Sequence, residues 1–155
     1  NSDFAREQIN NCTSNIVVLS GTRIIGQKTL DAVDKRIINI HAGITPKYRG
    51  VHGAYWALVN GDPELCGVTV HNVDRGVDSG TILAQELIEI TEKDTFVTYP
   101  LLQFSAGVNL LRKILEDIFN GGRLEYPNLR TSESFQWYHP TIWRYIYVYA
   151  KLKIK

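Results

Sequence analysis

RIINIHAGITPKYRG, residues 36–50, decides the fold. Its first six residues are rich in isoleucine, and they run into Ala42-Gly43 and the turn pair Thr45-Pro46. A short β-branched run stopped by turn residues reads as a buried strand. Residues two apart in a strand face the same way, so Asn39 and His41 project together from its last positions. Open α/β sheets hold their ligands just beyond such carboxyl ends. Two polar groups there serve either a site or the backbone of the following turn, and the tripeptide alone leaves both readings open.

Working outward, NIVVLS (15–20) is a second buried strand, followed by a loop and a short helix within GTRIIGQKTLDAV (21–33). VHGAYWALVNG (51–61) reads as a short helix closed by Asn60-Gly61, with Trp56 and Leu58 inward. GVTVHNV (67–73) alternates like a strand, VDRGVDSG (73–80) is loop, and TILAQELIEI (81–90) is a further, half-exposed strand. Pro100 opens the clearest helix, and Leu101, Phe104, Val108, Leu111, Leu115 and Ile118 form its expected core stripe before Gly121-Gly122 ends it. Strands interleaved with helices indicate an α/β sheet protein. From about residue 125 the chain turns polar and then dense in Trp and Tyr, as a tail that folds back or meets a second copy. The expected organisation is therefore a domain over residues 1–125 and an aromatic-rich tail over 126–155.

The 155 residues fit one compact domain, and a net charge of +1 offers no field for gripping nucleic acid or an acidic membrane. The basic residues Lys151, Lys153 and Lys155 read as solvated tail. No apolar run approaches bilayer length, the opening NSDFAREQINNC is too polar for a secretory leader, and no initiator Met is present. Cys12 and Cys66 lack metal-ligand spacing and read as free thiols of a cytoplasmic protein. A metal site of His41, His52, His71 and Cys66 matches no zinc spacing, and the Asp74–Asp78 loop lacks the ligand order of a calcium loop. No metal is expected.

NIHAGITPKYRGVHGAYWALVNGDPELCGVTVHNVDRGVDSGTILAQ (39–85) closely resembles the catalytic segment of the formyltransferases that use 10-formyltetrahydrofolate. The matched elements are Asn39-Ile40-His41, Pro46-Lys47-Tyr48-Arg49-Gly50, Val68-Thr69-Val70-His71 and Asp74-Arg75-Gly76-Val77-Asp78-Ser79-Gly80. A weaker likeness runs from about Ile16 to Gly122. The resemblance implies a Rossmann-like formyltransferase fold, a mixed, mostly parallel sheet flanked by helices, with the N-terminal strands of the family missing. A sheet edge left bare in this way implies a homodimer or a piece of a longer protein.

The same resemblance implies the chemistry. Asn39 would donate to the oxyanion developing on the formyl carbonyl, His41 would carry the proton, and Asp78 would stabilise the charged imidazole and order water. The pterin would be held by backbone groups of Thr22, Arg23, Ile24 and Ile25 and of Val73, Asp74, Arg75, Gly76 and Val77. His71 is expected near the site in a structural part. His52 is expected either to cap its helix or to touch the acceptor, and His139 to sit in a turn. Gly43 stands where the family carries Ser, which implies an altered hydrogen bond and a more permissive loop. The acceptor is expected to be a small-molecule amine, and KYRGVHGAYWAL resembles the amino-sugar nucleotide formyltransferases. Trp137, Tyr138 and Trp143 are expected to pack rather than stack on a base. The alternatives are a formyltetrahydrofolate hydrolase or a truncated folate-binding domain without activity.

Overall fold

The computed structural model describes residues 1–122, 129 and 133–154. A helix the sequence reading did not foresee comes first, α1 (Asp3–Asn11), with the Ser2 side chain accepting from the Ala5 N–H at its start and no buried residue along it. The all-round polarity of this segment hid it, although Ser2 before Asp3 is an N-cap signal. Strand β1 (Ile16–Ser20), α2 (Gln27–Ala32) and β2 (Arg36–His41) follow, with β1 and β2 parallel. Next come β3 (Arg49–Gly50), α3 (Gly53–Asn60), β4 (Gly67–Asn72) and β5 (Ile82–Leu87). The last elements are α4 (Tyr99–Phe119), β6 (Gln136–Trp137) and α5 (Ile142–Leu152).

The main sheet has the order β1-β2-β4-β5 and is mixed, as expected. Its balance differs from a mostly parallel one, because β2–β4 and β4–β5 are antiparallel. Strand β4 returns to β5 through the loop 73–81, too short for the crossover a parallel pair needs, whereas the longer β2–β4 connection through β3 and α3 permits either direction. Strand β5 also ends at Leu87 instead of residue 90, after which Asp94 bonds Thr91 and Thr98 and organises the turn before α4.

Two apolar clusters hold the molecule. Ile38, Ile40, Val68 and Val70 face α4 and meet its Leu110 and Ile114. Burial of side chains this size is worth about 1.5–3 kcal/mol each. The expected α4 stripe is corrected in part: Leu111 and Ile118 do pack against this cluster, but Leu101, Phe104 and Val108 face outward. Leu101 is 64% exposed and Phe104 54%, whereas Tyr99, Gln103, Gly107, Leu110 and Ile114 are buried. Buried Gln103 explains the rotation, since its Nε2 donates to the Gly67 carbonyl at 2.7 Å and fixes which face of α4 meets the sheet. A hydropathy pattern places a glutamine outside; one satisfied hydrogen bond takes it in.

The second cluster gathers Tyr48, Tyr55, Trp56, Tyr99 and Val148, with Leu58 and Trp137 packed against it. It joins α3 to the C-terminal segment, so the aromatic tail does fold back. β6 pairs with β3 in parallel register, Gly50 opposite Trp137. The Trp137 ring stacks 4.9 Å from Trp56 and 5.9 Å from Tyr48, and its indole N–H donates to the Lys47 carbonyl. Tyr138 and Trp143 are instead exposed. The boundary expected between residues 125 and 126 lies outside the described residues, as does Lys155. Among the described residues no helix is long and apolar enough to cross a membrane.

Candidate active site

Asn39 and His71 are register partners on β2 and β4, so both reach the sheet face opposite α4. Asp78 arrives from the loop after β4 with φ +49°, a left-handed conformation that a non-glycine residue adopts at a cost of about 1–2 kcal/mol. Two contacts secure it: the Gly50 N–H donates to Asp78 Oδ2 at 2.9 Å, and Arg49 Nη1 donates to the Val77 carbonyl at 3.0 Å. Gly50 itself has φ +95°, which glycine takes without steric penalty.

These elements bring Asn39, His41 and Asp78 together. His41 Nδ1 lies 3.2 Å from Asp78 Oδ2, and His41 Nε2 lies 2.7 Å from the Tyr48 carbonyl. Asn39 Nδ2 lies 3.2 Å from Asp78 Oδ1 and also 3.2 Å from His71 Nε2. Those two acceptors are 3.6 Å apart. The two hydrogens of Nδ2 spread widely enough to serve one acceptor each, so the amide is held from both sides. His71 Nδ1 meets the Asn72 carbonyl at 2.8 Å, which requires a proton on Nδ1 and leaves Nε2 to accept from Asn39.

Electrostatics sets the protonation. Burial pushes the His41 imidazole below its ordinary value, and Asp78 and the Tyr48 carbonyl pull it partly back. Burial would raise the Asp78 carboxyl, but the neighbouring His71 and His41 rings and the Gly50 N–H outweigh it and hold the group below the usual carboxylate range. The pair is thus an ionised carboxylate beside an imidazole held toward its neutral form, with a proton on Nε2 for the Tyr48 carbonyl.

A buried polar network behind the site went unseen in the sequence. Thr69 Oγ1 donates to the Gly43 carbonyl at 2.7 Å and accepts from the Thr45 N–H, while Gln85 Nε2 donates to the Thr45 carbonyl. It pins the loop between His41 and Tyr48. Its one signal was the pair of polar residues, Thr69 and Gln85, in otherwise apolar strands. The same loop corrects the expectation at Gly43. A Cβ there would stand 2.3 Å from the Tyr48 carbonyl oxygen and 2.7 Å from His41 Nε2, so the loop is tight where it was expected to be permissive.

The three side chains open into a cavity of about 900 Å³. Thr22, Arg23, Ile24 and Ile25 line one part of it, together with Val73, Asp74, Gly76 and Val77. Arg75 is not brought in; its guanidinium turns outward to Asp31 Oδ1 at 3.1 Å. Asp74 Oδ1 accepts from the Gly76 N–H and the Ser79 hydroxyl, which shapes the loop. His52 and the segment Gln136–His139 also line it, lining that the sequence reading did not assign as a whole. Among the described residues no group of three or more His, Cys, Asp or Glu side chains is arranged around a metal position.

An amide, an imidazole and a carboxylate gathered at strand ends beside a ligand-sized cavity place this chain among the α/β proteins that hold a small molecule at the end of the sheet. Among these it belongs to the formyl transferase family, whose model matches residues 2–103. The chain is 38% identical over 106 residues to methionyl-tRNA formyltransferase of Pelotomaculum thermopropionicum, covering 68% of this chain and 34% of that protein. It is 42% identical over 84 residues to phosphoribosylglycinamide formyltransferase of Bacillus subtilis, 54% of this chain and 43% of the relative. The crystal structure of an N-formyltransferase from Helicobacter canadensis in complex with folinic acid and dTDP-3-aminofucose superposes with a TM-score of 0.61 at 27% identity, covering 74% of this chain and 42% of that one. The chain thus spans about a third of the length of the methionyl-tRNA formyltransferases it matches.

Proposed function

We propose that this protein transfers a formyl group from 10-formyltetrahydrofolate to a small-molecule amine. The observation that carries the reading is the convergence of Asn39, His41 and Asp78 within hydrogen-bonding distance at the cavity. The Asn39 amide lines the cavity and is assigned to donate to negative charge growing on the formyl oxygen, a role whose loss typically costs about 3 kcal/mol of barrier. His41 moves a proton between the attacking amine and the departing folate nitrogen, and ionised Asp78 stabilises its charged form. The cavity fits the donor: Ile24, Ile25, Val73 and Val77 offer an apolar lining suited to a flat ring, and its volume lies in the range of small-molecule sites. Backbone groups of Thr22, Arg23, Ile24, Ile25, Val73, Asp74, Gly76 and Val77 are assigned to the pterin.

We assign the acceptor to the amino-sugar nucleotides. The likeness of residues 47–58 to that branch supports this, as does the Helicobacter canadensis relative. The unpaired Cys12 and Cys66 fit a cytoplasmic setting. The outer edge of β1, with Val18 exposed beside it, fits a homodimer, which light scattering in solution would test. The deciding experiment follows release of tetrahydrofolate by absorbance with phosphoribosylglycinamide, with amino-sugar nucleotides and with no amine. Turnover that needs an amino-sugar nucleotide supports the reading; equal turnover without amine makes the protein a hydrolase and overturns it.

A further inference from the structure

The cavity is lined by two further histidines that the chemistry above leaves unused. His52 Nε2 and His139 Nδ1 are 2.9 Å apart, with the rings inclined at 72°. Two imidazoles at that distance share one proton, one ring donating and the other accepting. His52 occupies the N-cap position of α3, yet its side chain makes no capping bond. It holds φ +57°, a left-handed conformation costing about 1–2 kcal/mol for a residue with a Cβ. Its ring is instead held between His139 and Phe96, whose centroid is 4.4 Å away. Both histidines line the cavity that holds Asn39, His41 and Asp78, and they form a gradient, His52 half-buried and His139 exposed. Gly50, which anchors Asp78, is two residues from His52 and opposite Trp137, two residues from His139.

Proton balance gives this pair a task, given the proposed formyl transfer. A primary amine arrives largely as ammonium near neutral pH. A C–N bond forms between its nitrogen and the formyl carbon, and the C–N bond to the folate nitrogen breaks. One amine proton ends on the folate nitrogen by way of His41. The other, carried by the ammonium, must leave before the nitrogen lone pair can attack.

We infer that the His52–His139 pair is the exit for that second proton. His52 Nδ1 takes it from the ammonium, the Nε2 proton of His52 passes to His139 Nδ1, and His139 releases its Nε2 proton to water. The pair resets as the two tautomers re-equilibrate with solvent. Burial, and then the charge of His139, hold His52 below the ordinary imidazole value, so it stands neutral and able to accept at pH 7. His139 is the titratable group acting on it; Phe96, packed on the other side, is uncharged.

The test compares the full chain with His139→Gln and with His52→Asn, Asn being tolerant of the left-handed conformation. Formyl transfer is measured at pH 7 in weak buffer, with and without added imidazole. Each variant is expected to lose about tenfold or more, and imidazole to restore the variants without raising the wild-type rate. Variants that keep the full rate at every buffer strength overturn the inference. So does a loss that imidazole leaves unrepaired. A wild-type chain that transfers no formyl group refutes the proposed function instead. The pair is then judged by nitrogen-15 NMR titration, where His139→Gln is expected to raise the pKa of His52 and an unmoved His52 rejects the coupling.

Discussion

His41 Nδ1 sits 3.2 Å from Asp78 Oδ2, while the other oxygen of the same carboxylate faces the amide of Asn39. One carboxylate therefore orients both partners. Replacing Asp78 by Asn keeps the shape and removes the charge, and kcat for formyl transfer is expected to fall about a hundredfold. Asn39→Ala is expected to cost a similar factor through the lost oxyanion donor. Steady-state kinetics check both, with circular dichroism to confirm the fold. Retained activity in any two of Asn39→Ala, His41→Ala and Asp78→Asn defeats the assignment.

Gly43→Ala tests how tightly the His41 loop is built. The added methyl group meets the Tyr48 carbonyl and His41 Nε2, so loop and ring must both move. Destabilisation of about 1–3 kcal/mol is expected, with an activity loss larger than the stability loss explains. Urea unfolding alongside kinetics measures the two. A fully active, equally stable variant would show that the loop yields freely.

The α4 helix offers a direct contrast between pattern and packing. Ile114→Ala removes a fully buried side chain and is expected to cost about 2–5 kcal/mol. Leu101→Ser touches a side chain that is 64% exposed and is expected to stay within about 0.5 kcal/mol. Comparable losses from chemical denaturation of the two variants would contradict the observed face.

That contrast shows what the sequence disclosed. The strands holding Asn39, His41 and His71 were legible because apolar runs ended at turn residues, and the matched motifs placed Asp78 in a loop. The face of α4 was not, because a buried Gln103 bonded to Gly67 breaks the rule on which apolar periodicity rests. The role of the tail in walling the cavity was equally hidden. β6 is a two-residue strand whose partner lies in β3, a pairing made by tertiary contact instead of local pattern.

Trp137→Ala is expected to loosen that wall. The ring stacks on Tyr48 and Trp56, and the indole N–H bonds the Lys47 carbonyl. A loss of about 3 kcal/mol is expected, and Trp137→Phe should recover most of it by keeping the stack. Thermal melts of the pair decide the point; equal losses would assign the effect to the hydrogen bond alone.

Buried His41 also makes a prediction about acid. Its pKa in the folded chain lies below the ordinary imidazole value of 6.5, chiefly through burial. As pH falls below 6.5 the unfolded chain binds a proton that the folded chain resists binding, so stability present above 6.5 declines toward the folded pKa. The Asp78 carboxyl, held below 3.8, gives up its share only as pH falls through its own depressed value, outside the interval from pH 7 to 5. His52, also held low by burial, contributes in the same direction as His41. His41→Gln is therefore expected to flatten, without abolishing, the fall in unfolding free energy between pH 7 and pH 5, as followed by urea titration at each pH. An unchanged slope would mean that the ring binds protons in the folded protein as it does in the unfolded chain, and a steeper fall that it is already charged at pH 7 beside Asp78.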